Sequence, residues 1–186
     1  MEKTVFQLLI YEEEEKMNRT KTYIAADWDS DENAVQKLYD WNNNKKLNLN
    51  FSDAHEITQA RDSSLYCSIK ASLKSRMDVS KTFVLIVGSN TNSVTKGNCK
   101  YCSSYNSYTG SCARKHSIDY RSYIEYECDK AVEANIKIIV LYKSSTVNKS
   151  KCPVAVRNIG THVAMWNRNS DGTYYWDYDA VKKAFE

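Results

Sequence analysis

Apolar and polar positions along the chain alternate between two periods. Residues 22–26 (TYIAA) form a short strand candidate. Asp29 with Glu32 three positions on then makes a capping-box-like helix start. Ala34, Val35, Leu38 and Trp41 recur at helical spacing until Asn42–Asn44 stop the pattern. Residues 47–51 alternate apolar with Asn and read as a second strand. A polar loop over 52–62 follows, carrying Asp53, His55, Glu56 and Arg61. Beyond it, a helix capped near Asp62 or Ser63 places Leu65, Ile69, Leu73 and Met77 on one side. Residues 82–88 (TFVLIVG) and 136–142 (IKIIVLY) are almost continuous apolar runs rich in β-branched residues, as suits central strands covered on both faces. A helix is expected over 119–135, a short one after Pro153, a last strand over 162–166 and a C-terminal helix over 178–185.

Five strands alternating with helices predict an α/β fold with helices on both faces of a parallel sheet. Right-handed crossovers make this a doubly wound, flavodoxin-like order. Residues 1–20, an apolar stretch followed by Glu12–Glu15, read as an N-terminal extension to a domain over 21–186. The polar stretch 91–118 interrupts the alternation and reads as a Cys-rich insertion after strand three. In doubly wound sheets ligands bind beyond the carboxyl ends of the strands. That rule selects Asp27 and Trp28 after strand one, Asp53 and His55 after strand two, Ser89 and Asn90 after strand three, and the helix over 119–135.

Composition narrows the class without naming it. A 42% hydrophobic and 26% charged chain is an ordinary soluble composition. The formal net charge of +3 is too small to argue for nucleic acid or an anionic membrane as partner, and neither is expected. No apolar run approaches the roughly 20 residues that span a bilayer. The run over 5–11 lacks a cleavage pattern, so a cytoplasmic, reducing compartment is expected and the six cysteines are not read as a disulfide framework.

One carboxylate stands out. At about 100° per residue, Tyr120, Ile124, Cys128, Ala131 and Val132 share an arc about 120° wide that should face the sheet. Glu125, Asp129 and Glu133 point away. Glu127 lies roughly 20° beyond the arc, beside Tyr120 and Ala131, with Tyr123 one turn earlier. A carboxylate there is partly desolvated and needs a partner. Periodicity alone equally suits a structural glutamate that curls outward or pairs with a lysine.

The segment YIEYECDKAV at 123–132, followed by IKIIVLY, resembles the TIR-domain stretch that carries an NAD-cleaving glutamate. KTYIAADWDSD at 21–31, NFSDAHE at 50–56, the block SLYCSIKASLKSRMDVSKTFVLIVGSNT at 64–91 and CPVAVRN at 152–158 resemble one bacterial branch of TIR-like proteins. That branch includes the NAD-consuming component of Thoeris anti-phage systems, and the resemblance covers roughly residues 21–166. It implies that Glu127 is catalytic. The bond between nicotinamide and ribose would break, and the carboxylate would stabilise an oxocarbenium-like ribose. Water capture would give ADP-ribose, and internal capture a cyclic isomer used as a diffusible signal for a downstream effector. No cofactor is needed beyond NAD⁺ as substrate, and self-association is open. Ala26, Asp27, Trp28, Asp53, His55, Ser89 and Tyr123 are the candidate substrate contacts. For each, a plain turn, packing or surface role is the structural alternative.

Cys99-x2-Cys102-x9-Cys112-x3-His116 is the sharpest local pattern. Three thiolates and an imidazole could make a structural Cys₃His zinc site, or be reduced cysteines in a Tyr/Ser-rich loop. Lys96, Lys100, Arg114, Lys115 and Arg121 interleave with Tyr101, Tyr105 and Tyr108, the composition of a base-stacking surface and equally of a solvated loop. The strand-one turn AADWDSD has no G-x-G-x-x-G cradle, which disfavours redox use of NAD. The remaining alternatives are a non-catalytic TIR-like interaction module and an N-glycosidase acting on another nucleotide.

Overall fold

The computed structural model describes residues 19–57 and 65–186. β1 (Lys21–Ala25), β2 (Ser80–Val87), β5 (Lys137–Tyr142) and β6 (Thr161–Ala164) form one parallel sheet in the order β1-β2-β5-β6. The apolar runs predicted to be central strands are β2 and β5. β2 is buried along its length except at Lys81, because helices cover both of its faces.

Side chains alternate between two cores. Tyr23, Phe83, Leu85, Ile138 and Val140 point to one, closed by α2 (Tyr66–Asp78) and α3 (Tyr123–Glu133). Ile24, Val84, Ile86, Ile139 and Leu141 point to the other, closed by α1 (Trp28–Asn43) and α4 (Tyr178–Phe185). The helical faces follow the sequence pattern: Ala34, Val35, Leu38 and Trp41 are buried on α1, and Leu73 and Met77 on α2. α4 has the predicted bounds and is capped by Asp177, whose carboxylate accepts from Ala180 N at 3.0 Å.

The expected second strand does not form. Residues 47–51 form no strand, and the chain reaches β1 just after them, through Thr22 N to Ser52 O at 2.7 Å, Lys21 Nζ to Ser52 Oγ at 2.7 Å and an isolated bridge between Thr22 and Asp53. Asparagine side chains satisfy this backbone instead. Asn42 bonds both N and O of Phe51, Asn48 accepts from Asn50 N, and Asn50 takes a φ of 56°. The sheet therefore has four strands where five were expected. The last expected strand is also shorter, ending at Ala164. After it β7 (Trp166–Arg168) pairs antiparallel with β8 (Tyr174–Trp176) around Asp171-Gly172.

The stretch 91–118 joins β2 to α3 without adding to the main sheet. It holds short 3₁₀ turns at Thr91–Ser93 and Cys99–Tyr101 and a two-residue hairpin, β3 (Tyr105–Asn106) with β4 (Ser111–Cys112). Most of residues 1–20, the expected cap at Asp62 or Ser63, and Arg61 lie outside the described residues. Among those described, no helix is long and apolar enough to cross a membrane.

At the carboxyl end of β2 the chain passes very close to α1. Asp31 is buried and pairs with Lys143 Nζ at 3.3 Å, and Lys143 Nζ also donates to Ser30 O at 2.6 Å. Burial pushes the Asp31 carboxyl up, and Lys143 pulls it back. A Cβ on Gly88 would overlap the Asp31 carboxylate. Gly88→Ala should therefore cost about 1–3 kcal/mol by forcing this ion pair apart. Thermal unfolding checks it: a Tm lower by several degrees is expected, and an unchanged Tm would refute the close packing.

Candidate functional site

α3 begins later than the sequence pattern suggests, because Ser122 caps it. Ser122 Oγ accepts from Glu125 N at 3.2 Å, and Glu125 Oε2 accepts from Ser122 N at 2.7 Å. Residues 119–121 are drawn out of the helix by Arg121, which binds Asp119 at 2.8 Å and Asp129 at 2.7 Å. Lys70, buried on α2, pins the same stretch by donating to Arg121 O at 2.7 Å. The helix keeps Ile124, Cys128 and Ala131 on the buried side as expected, but the buried face is centred nearer Glu127. Tyr120 and Val132, expected inside, are exposed, whereas Ile124, Tyr126, Glu127, Cys128 and Ala131 are buried.

Glu127 is thus 7% exposed, deeper than the boundary position its spacing implied. Its partner is Tyr23 on β1, whose hydroxyl donates to Glu127 Oε1 at 2.6 Å. Tyr23 is fully buried. Burial drives the Glu127 carboxyl from its ordinary 4.5 to about 7, against the Tyr23 hydrogen bond and the nearby Arg76 guanidinium, which both favour the ionised form. Burial, reinforced by the Glu127 charge, raises the Tyr23 phenol well above its own ordinary value. That phenol remains a hydrogen-bond donor across the ordinary pH range.

Glu127 forms part of the wall of a cavity of about 240 Å³ beyond the carboxyl end of β1. Ala26, Asp27, Trp28, His55 and Tyr123 also line it, as do Arg76 and Lys96. Strand and helix geometry bring these together: β1 ends at the start of α1, and Tyr123 opens α3. Tyr123 N donates to Lys96 O at 2.8 Å, which ties the stretch after β2 to the same wall. Gly97 makes this approach possible. Its φ is +100°, and a Cβ there would lie 2.5 Å from Tyr123 Cδ1.

His55 sits between two aromatic rings, 5.2 Å from Tyr23 and 5.8 Å edge-on to Trp28. Asp53 stands behind it, outside the wall, with Oδ1 2.9 Å from His55 Nδ1. Burial works against the Asp53 charge, but hydrogen bonds from His55 and Tyr39 outweigh it and hold the carboxyl below its ordinary value. Asp53 is therefore placed to orient His55 and not to line the cavity. Ser89 is exposed and also stands off the wall; Val94 and Lys96 occupy the place expected for it.

Three contributors were missed in the sequence. Arg76 follows Leu73 by three and Ile69 by seven, so helical spacing already put it on the buried face. Lys96 had been grouped with a surface charge run. Tyr23 read as one more strand residue.

Cys99, Cys102, Cys112 and His116 line a second, much smaller cavity, and all six cysteines are free thiols. Among the described residues no group of three or more His, Cys, Asp or Glu side chains is placed so that it could hold a metal ion.

A four-stranded parallel sheet with helices on both faces and a carboxylate cavity at its carboxyl edge is an α/β architecture consistent with a TIR-like fold. Residues 23–96 match the family model of the TIR-like domain of the Thoeris protein ThsB, so the resemblance read from the sequence is to that family. The match begins inside β1, at Tyr23, and ends at Lys96, before α3. No curated protein matches the chain.

The buried carboxylate makes a signed stability prediction. In the unfolded chain Glu127 ionises near 4.5, but in the fold only near 7. The folded state is therefore penalised progressively from about pH 4.5 to 7, and the penalty stays constant above that. At about 1.4 kcal/mol per pH unit it amounts to about 3 kcal/mol. Glu127→Gln should raise Tm at pH 8 relative to its effect at pH 5. Paired melts at the two pH values check it, and an equal or reversed effect would contradict the burial.

Proposed function

We propose that this chain cleaves the bond between nicotinamide and ribose of NAD⁺, in a defence-associated role like that of its family. The observation carrying this reading is the buried Glu127 carboxylate in the wall of the 240 Å³ cavity, held by Tyr23. Ligand sites commonly occupy about 300–1,000 Å³, so this cavity suits one end of a dinucleotide. The nicotinamide-ribose end fits beside Glu127. Trp28, 44% exposed at the mouth, offers a ring face to the remainder. Arg76 and Lys96 bring positive charge to the same wall for the pyrophosphate.

The C1′–N bond breaks with its electron pair passing to the pyridinium nitrogen, so nicotinamide leaves neutral and needs no acid. The ribose becomes oxocarbenium-like, and the ionised Glu127 stabilises that charge. Water captures it to give ADP-ribose, or a nucleophile of the same molecule captures it to give a cyclic product; either releases one proton. The resemblance to Thoeris proteins favours the cyclic product, read by a separate effector.

The ionised form of Glu127 is the working one, so kcat/KM should rise about tenfold per pH unit below 7 and level off above it. Tyr23→Phe removes the hydrogen bond that favours ionisation and should move this limb to higher pH, a shift that simple loss of packing would not produce. A limb that stays in place would contradict the role of Tyr23.

Chromatography of NAD⁺ incubated with concentrated protein tests the function itself, wild type beside Glu127→Gln. Nicotinamide release by wild type alone is expected, and the mass of the second product separates cyclisation from hydrolysis. Equal release by both proteins would overturn the site. Release by neither, with lysate from phage-infected cells added, would favour a non-catalytic interaction module.

A further inference from the structure

The smaller cavity, about 10 Å³, shares no lining residue with the Glu127 site. It is lined by Cys99, Cys102, Cys112 and His116 and also by Cys67, which no local motif joins to them. Cys67 lies in the first turn of α2, more than thirty residues before Cys99. Four of the six cysteines of the chain thus meet around one space the size of a single water or ion. The remainder of the wall includes Leu65 and Ile118, so the space is largely apolar.

The backbone around it is built to present sulfur. Cys102 N donates to Cys99 O at 3.0 Å, and Lys115 N donates to Cys112 O at 2.9 Å, with Lys115 at φ 60°. Each tight turn sets a cysteine at its start. Asp119 N donates to Cys99 Sγ from 3.4 Å, which fixes the direction of that sulfur. Asp119 is itself fixed by Lys70 Nζ at 3.3 Å. The stretch 99–116 otherwise has little to hold it. Its residues are mostly exposed, and its only sheet is a pair of two-residue strands.

We propose that Cys67, Cys99, Cys102 and Cys112, with His116 as the competing fourth ligand, bind one structural Zn²⁺ that fastens this stretch to the start of α2. Thiolate and imidazole donors suit zinc, and a four-coordinate set leaves no open position for catalysis. The side chains border the cavity but do not form a metal-holding set as they stand, so binding requires rotation about χ1 that turns the sulfurs inward. Metal binding supplies the order that this stretch lacks in apolar contacts.

The test uses the full chain, expressed with zinc in the medium, and reads metal content by mass spectrometry. About one zinc per chain is expected, and exchange with Co²⁺ should give thiolate-to-cobalt charge-transfer absorption. Cys99→Ser should lose the metal. If that variant does not fold, wild-type thiols counted before and after a chelator decide the matter: chelation should expose cysteines that were protected. Retention of zinc by His116→Ala but not by Cys67→Ser assigns the fourth ligand to the helix; the opposite result assigns it to His116 and overturns the role of Cys67. A metal-free protein that binds no Co²⁺, its thiols all free or two of them oxidised to a disulfide, would overturn the site. None of these readouts depends on NAD⁺.

Discussion

The hydrogen bond from Tyr23 to Glu127 joins the first strand to the third helix across the buried side of the sheet. It links residues 104 positions apart, and both partners are almost wholly removed from water. An uncompensated carboxylate in such a place would cost several kcal/mol. Here the cost is reduced by one short hydrogen bond and one nearby guanidinium, and the remainder survives as a pKa of about 7. Much else in the domain can be understood as holding this pair in register. The Ser122 capping box starts α3 at the residue that turns Glu127 inward. Lys70 and the Arg121 ion pairs keep the preceding residues out of the helix.

The same constraint shapes the cavity. β1 delivers Tyr23 beneath it and Ala26–Trp28 at its edge, α2 brings Arg76, and the connection from β2 brings Lys96 across Gly97. On the proposed reading, a carboxylate poised between its two protonation states, with two cations and an aromatic ring in the same wall, would suit a substrate that is cationic at one end and anionic in the middle. The domain holds the carboxylate at a standing cost in stability, as sites built for charge stabilisation commonly do.

Much of this was legible in the sequence where one physical rule dominated. Continuous β-branched runs marked β2 and β5, and a clean 3.6-residue period marked the buried face of α1. The strand-end rule pointed to Trp28 and His55, which line the cavity, and to Ser89, which does not. Legibility failed where side chains competed with the backbone. The asparagines around 42–50 consumed the hydrogen bonds that a strand would have used, and Ser122 started a helix later than hydrophobic spacing implied. Tyr23 was hidden for another reason: no local pattern distinguishes a strand tyrosine that packs from one that donates to a distant helix.

The most direct test of this account is the titration of the Glu127 carboxyl itself, followed by ¹³C NMR on selectively labelled protein, with Glu127→Gln to assign the signal. The account predicts a midpoint of about 7 that moves upward in Tyr23→Phe and downward when a slowly reacting NAD⁺ analogue places its pyridinium ring in the cavity. A midpoint near the ordinary 4.5, indifferent to Tyr23 and to the analogue, would contradict it.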